Sequence, residues 1–137
     1  MSEIVNAYDN TILFTDHLLA ETISRLQSMA DRVDSAILYV SDHGESLGEN
    51  GLFLHAVPYA LAPRVQTHVP MVFWSTAGFN ERMQLDRQCL VEQRNRPLSH
   101  DNYLHTILGL LDVSTSVRKP ELDFVQGCRR SATTPPG

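Results

Sequence analysis

The run AILYVS at residues 36–41 is the feature that most constrains the fold. Its near-continuous apolarity and its strand-forming residues predict a strand buried on both faces, as in a parallel sheet covered by helices. A second apolar run, VPMVFWS at 69–75, reads as another strand. Pro70 suits a strand's first residues and argues against a central position. Ahead of the first run, Ile12, Leu19, Ile23 and Leu26 recur at helical spacing. Asp9 or Asn10 is placed to cap the exposed N–H groups, which predicts a helix of about five turns ending near residues 29–31. After a polar stretch from Asn80 to Pro97, Ser99 opens a third periodic segment, with Tyr103, Ile107, Leu110 and Leu111 on one face. Helix followed by buried strand is half of a βαβ unit, so the predicted class is α/β, a mostly parallel sheet flanked by helices.

Composition removes several functions. Hydrophobic residues make up 42% and charged residues 20%, which permits a packed core and argues against disorder. A net charge of −5 leaves no basic footprint for nucleic acid and no polybasic handle for an anionic membrane. No stretch approaches the about 20 apolar residues of a membrane-spanning helix. The N-terminus lacks both the cationic start and the apolar run of a signal peptide. Cys89 and Cys128 show no CxxC or zinc-finger spacing; they form one disulfide in an oxidising compartment or remain two buried thiols. The segment SATTPPG at 131–137 reads as a disordered tail behind a domain covering residues 1–130.

The chemistry is concentrated between Asp42 and Arg64, a long segment rich in Gly, Pro, His and Glu without a sustained period. Loops of that length in compact domains are commonly functional, and Leu52, Phe53 and Leu54 are its apolar anchors. Asp42 and His43 follow the buried strand at once, and in open α/β sheets ligands bind just beyond the carboxyl ends of strands. Within a pleat the two side chains would face opposite ways, but Gly44 frees the backbone to turn. A carboxylate and an imidazole side by side there can hold one divalent metal through an oxygen and a nitrogen donor. The plainer alternative is a turn in which Asp42 hydrogen-bonds the backbone. Glu45, Glu49, His55 and His68 add acid and imidazole to the same region, but no third ligand stands out.

The stretch SDHGESLGENGLFLH at 41–55, followed by Pro58, Tyr59, Ala62 and Pro63, resembles the signature of lipid A phosphoethanolamine transferases. That family, within the alkaline phosphatase/sulfatase superfamily, includes the colistin-resistance enzymes. The flanks resemble it too: YDNTIL at 8–13 with Asp16, QTHVPM at 66–71, SHDN at 99–102, LGLLD at 108–112, then Leu122, Asp123, Cys128 and Arg129. The likeness runs from about residue 6 to residue 130, and an ordered match of that length is far more specific than a short motif. It implies part of a sulfatase-like sandwich, incomplete on its N-terminal side. It implies Asp42 and His43 as zinc ligands, and His55 as a catalytic histidine near the phosphate that holds negative charge or protonates a leaving group. His68 is a weaker substrate-binding candidate. His100 reads as helix-cap chemistry, and His17 and His105 as surface or packed side chains.

The resemblance further implies a periplasm-facing enzyme of the bacterial inner membrane. It would move phosphoethanolamine from phosphatidylethanolamine to lipid A or a related lipopolysaccharide group through a phospho-threonine. The family's threonine nucleophile and a glutamate ligand lie upstream of the Asp-His pair, and nothing before Asp42 resembles those segments; Thr11, Thr15 and Thr22 do not match. The expectation is therefore a C-terminal piece that is inactive alone. Rival readings are a sulfatase, phosphodiesterase or phosphoglycerol transferase of the same superfamily, or a non-catalytic remnant. Asp-His ligands are common to that superfamily, whereas the GESLGE run and His55 favour the phosphoethanolamine branch.

Overall fold

A computed structural model describes residues 2–130. The tail expected at 131–137 lies outside the described residues. The chain divides into two compact units, Met1–Trp74 and Ser75–Gly137.

The first unit opens with α1 (Ser2–Gln27), which starts seven residues ahead of the predicted cap at Asp9. Val5, Tyr8, Thr15, Leu19, Ile23 and Leu26 form its half-buried stripe. Val5 and Tyr8 continue the pattern backwards from Ile12, no Gly or Pro interrupts the run, and Glu3 complements the helix dipole in the first turn. Asp9 and Asn10 therefore sit inside the helix as exposed residues, where a polar side chain costs little. Ile12, predicted on the apolar face, is 51% exposed.

Strand β1 (Ala36–Val40) follows as predicted, with every residue half-buried. It pairs with β4 (Met71–Ser75), and the Ser41 N–H donates to the Pro70 carbonyl at 3.3 Å. The α/β class stands. Between the two strands, the segment read as a plain loop contains a small hairpin, β2 (Ser46–Leu47) and β3 (Phe53–Leu54). Its strands are antiparallel, with Ser46 opposite Leu54 and Leu47 opposite Phe53. A 3-10 turn at Glu49–Gly51 closes it, with Gly48 at φ 120° and Gly51 at φ 76°, values that glycine adopts without strain. The supposed anchors are not buried: Phe53 is 49% and Leu54 69% exposed. A single helical turn, α2 (Arg64–Thr67), leads to β4.

In the second unit, α3 (Ala77–Arg82) and α4 (Arg87–Glu92) occupy much of the stretch read only as polar. Each begins at a side-chain cap. Thr76 Oγ1 accepts from the Phe79 N–H at 3.3 Å, and Asp86 Oδ1 accepts from Gln88 and Cys89 at 2.8 and 3.2 Å. The last helix, α5 (Asp101–Leu110), is present, but its buried face is turned from the predicted one. Asn102, His105, Thr106, Gly109 and Leu110 are buried, while Leu111 is 69% exposed. The polar residues are matched there by the segment that wraps the helix. Asn102 donates to the Leu122 carbonyl at 2.8 Å, Thr106 Oγ1 accepts from Phe124 at 3.2 Å, and His105 Nδ1 accepts from Lys119 at 3.1 Å. Buried Asp123 holds Arg118 at 2.8 Å, and a side chain at Gly109 would strike that carboxylate.

Leu85, Leu110, Val125 and Cys128 are the buried apolar residues of this unit. The question left open for the cysteines resolves as a disulfide: Cys89 on α4 bonds Cys128, with Cα atoms 5.5 Å apart and 39 residues between them in sequence. In a chain-entropy account, a loop of that size contributes about 3–4 kcal/mol by constraining the unfolded state. Replacing both cysteines by serine should therefore lower stability by about that amount. Urea unfolding of the double variant, beside wild type with and without reductant, measures it.

Candidate functional site

The site grows out of the last residues of β1. The chain leaves the sheet at Ser41, whose hydroxyl donates to the His43 carbonyl at 2.9 Å and tightens the turn. The Asp42 Oδ1 atom accepts from the His43 N–H at 3.0 Å, the backbone bond that the turn reading expects. That bond uses one carboxylate oxygen. The other, Oδ2, lies 3.8 Å from His43 Nε2, and the Asp42 side chain is 89% exposed.

The protonation pattern of His43 follows from its partners. Its Nδ1 lies 3.2 Å from the Gly44 carbonyl, which can only accept, so Nδ1 carries the hydrogen. In the neutral ring, Nε2 is then a lone pair facing Asp42. Histidines that bind metals characteristically donate their second ring nitrogen to a carbonyl or carboxylate in this way.

His55 is held by the same logic. Its Nδ1 donates to Glu45 Oε1 at 2.8 Å, and the His43 and His55 rings sit 3.7 Å apart, tilted by 30°. Glu45 Oε1 is also 3.8 Å from His43 Nδ1. Glu45 thus stands against both imidazoles, a placement that spacing alone could not single out from its neighbours. Glu49 is different, since its carboxylate accepts from the Leu47 N–H and belongs to the hairpin turn. The backbone on both sides of His55 is unusual: Leu54 has φ 63° and Ala56 φ 86°. Such conformations in non-glycine residues persist only where the surroundings enforce them, and they cluster at functional sites.

Two small donor groups therefore share His43. Asp42 Oδ2 and His43 Nε2, 3.8 Å apart, stand somewhat wider than the about 3.3 Å between two ligands of a tetrahedral zinc. His43, Glu45 and His55 also present donor atoms within 4.8 Å of one another. The 2.8 Å separation of Glu45 and His55 is a hydrogen bond, shorter than two ligands of one ion normally adopt. Glu45 Oε2 is buried and has no partner among the described residues, an acceptor surplus that a cation or a donor would satisfy. His68, exposed at the end of α2, lies outside this donor group. His100 is the residue before α5, and His105 is packed inside the second unit.

The pattern of the sulfatase family matches residues 2–113. The chain belongs to the sulfatase family. Within this family its similar relatives are phosphoethanolamine transferases. Phosphoethanolamine transferase EptA of Salmonella typhimurium is 42% identical over 129 residues, covering 93% of this chain and 24% of that protein. The soluble domain of lipooligosaccharide phosphoethanolamine transferase A from Neisseria meningitidis superposes with a TM-score of 0.88 at 45% identity, over 93% of this chain and 39% of that one. The integral membrane form of that enzyme superposes with a TM-score of 0.87 at 46% identity and is matched over 24% of its length. This sulfatase-family chain thus spans about a quarter of the full-length relatives it matches.

Gly44 explains how the site is held. It is buried, its N–H donates to the Gln66 carbonyl at 2.9 Å, and a Cβ there would collide with the Val65 carbonyl. Gly44→Ala should cost about 1–3 kcal/mol through this backbone clash and separate the two imidazoles. Gly51→Ala meets nothing within 4 Å but must hold a left-handed φ of 76°, so it should cost about 1 kcal/mol through backbone strain while leaving the rings in contact. Chemical denaturation, with a nuclear Overhauser contact between the His43 and His55 rings as second readout, distinguishes the pair.

Proposed function

We propose that the chain is the C-terminal portion of a zinc-dependent transferase that moves phosphoethanolamine from phosphatidylethanolamine to lipid A or a related lipopolysaccharide group. The observation that carries this reading is the pair Asp42 Oδ2 and His43 Nε2, 3.8 Å apart at the end of β1. It occurs in a chain matched along 93% of its length to a protein named phosphoethanolamine transferase. Other relatives named phosphatidylethanolamine transferase and Kdo(2)-lipid A phosphoethanolamine transferase support the substrate class, and the donor pair supports the choice of metal ligands. A periplasmic location at the bacterial inner membrane accords with the integral membrane relative. No helix among the described residues is long and apolar enough to cross a membrane.

Asp42 and His43 would hold the zinc, an oxygen and a nitrogen donor of the kind this metal takes. When bound, zinc supplies Lewis-acid stabilisation of charge on phosphoryl and attacking oxygens. The Gly44 carbonyl fixes the His43 ring with Nε2 presented, so the ligand is oriented before any metal arrives. His55, fastened at Nδ1 by Glu45, keeps Nε2 for the substrate phosphate. There it donates to a phosphoryl oxygen when protonated, or delivers that proton to the leaving alkoxide. Glu45 holds His55 in place. His68 serves, if at all, at the edge of the substrate, away from the donor group.

The family resemblance assigns the nucleophile to a threonine and a further metal ligand to a glutamate, in segments this chain does not match. Transfer then proceeds in two displacements. Threonine oxygen attacks phosphorus and diacylglycerol leaves; an acceptor oxygen of the lipopolysaccharide next attacks the phospho-threonine and releases the threonine. Two ligands cannot hold zinc as four do, so the isolated chain should show no turnover.

The test is a chimera in which this chain replaces the matching segment of Salmonella typhimurium EptA. Mass spectrometry of lipid A from cells expressing it should show phosphoethanolamine addition. Asp42→Ala and His43→Ala should abolish addition together with zinc content, and His55→Ala should slow it by about 10²–10⁴-fold with zinc retained. A folded, zinc-loaded chimera that leaves lipid A unmodified would overturn the reading.

A further inference from the structure

We propose that Gln66 is a positioning residue that sets the relation between the His43 and His55 imidazoles. Gln66 is 5% exposed and lies on the single turn α2. Its side-chain amide spends both hydrogens: Nε2 donates to Ser46 Oγ at 2.8 Å and to the Leu54 carbonyl at 3.0 Å. Its own backbone carbonyl accepts from the Gly44 N–H at 2.9 Å.

These three partners are the point. Gly44 sits between His43 and Glu45, Ser46 follows Glu45, and Leu54 precedes His55. One buried residue therefore bonds a chain neighbour of each member of the His43, Glu45 and His55 group. Ser46 and Leu54 are also opposite each other in the hairpin, so the amide spans a cross-strand pair. Leu54 is held at φ 63°, a conformation a leucine leaves unless something retains it. The hydrogen bond from the Gln66 amide to the Leu54 carbonyl is one retaining contact, added from outside the hairpin's short ladder. Gln66 touches neither imidazole, so its influence runs through the backbone on which they stand.

The assignment concerns the geometry of the two rings and needs neither metal nor substrate. Failure of the transferase reading would leave it untouched, and the test below uses the metal-free chain. Wild-type protein labelled with ¹⁵N should show both His43 and His55 protonated at Nδ1 in long-range proton–nitrogen spectra. It should also show a contact between the rings and slow solvent exchange of the Gln66 side-chain amide.

Gln66→Met keeps the volume and the backbone bond to Gly44 but removes both amide donors. We expect loss of the His55 Nδ1 hydrogen signal and loss of the ring contact, with the β1 and β4 amide resonances unmoved. Gln66→Glu, which replaces the donor by an acceptor facing the Leu54 carbonyl, should lose the same signals at neutral pH. Retention of both signals in either variant overturns the proposal. Should both variants fail to fold, the wild-type amide decides: exchange as fast as an exposed glutamine overturns the assignment, and protected exchange supports it.

Discussion

A glycine and a carbonyl hold the chemistry at the end of β1 in place. Gly44 lies so close to the backbone of Val65 that a single added carbon would collide with it. That approach lets the Gly44 N–H reach the Gln66 carbonyl, and it turns the chain so that the Gly44 carbonyl can meet the His43 ring. Turning the chain there also frees the Asp42 and His43 side chains from the alternation a continuing strand would impose. Glycine is required here for space rather than for its dihedral freedom.

The elements around this contact are individually weak. Each hairpin strand is two residues long and α2 is one turn, and isolated hairpins are marginal in water. Their order comes from buried hydrogen bonds across chain segments, with Gln66 linking α2 to both hairpin strands. Such bonds are costly to break, because the amide of buried Gln66 would be left without its acceptors. The second unit solves the same problem differently. It binds its polar helix face to the 118–129 segment and closes α4 to Cys128 with a disulfide.

The sequence was most legible where one physical effect dominated. The apolar runs marked β1 and β4, although every residue of both is half-buried rather than buried on both faces. The start of α1 was misplaced because Asp9 and Asn10 are good caps, and local capping preference yields to a stripe that extends past it. The face of α5 was misread because Asn102, His105 and Thr106 are buried by partners far along the chain. Periodicity of apolar residues cannot see hydrogen bonds that have yet to form. The caps at Thr76 and Asp86 were readable, but helices this short carry too few apolar repeats to announce themselves. At the candidate site, Asp42, His43 and His55 were singled out as expectations by chemistry and resemblance, and the fold brings them close together. The part of Glu45 depended on a fold-back that brings residues ten apart into contact.

The two imidazoles are tethered alike and yet suited to different work. Each donates from Nδ1, His43 to a neutral carbonyl and His55 to a carboxylate. A carbonyl fixes ring orientation without adding charge, which suits a nitrogen that must offer a lone pair to a cation. A carboxylate accepts more strongly from the ring N–H and so holds the ring more firmly. The rings stand 3.7 Å apart, and Glu45 lies against both of them. The difference between the two histidines thus lies in their acceptors, a neutral carbonyl for His43 and a carboxylate for His55, each on the side of the ring away from Nε2.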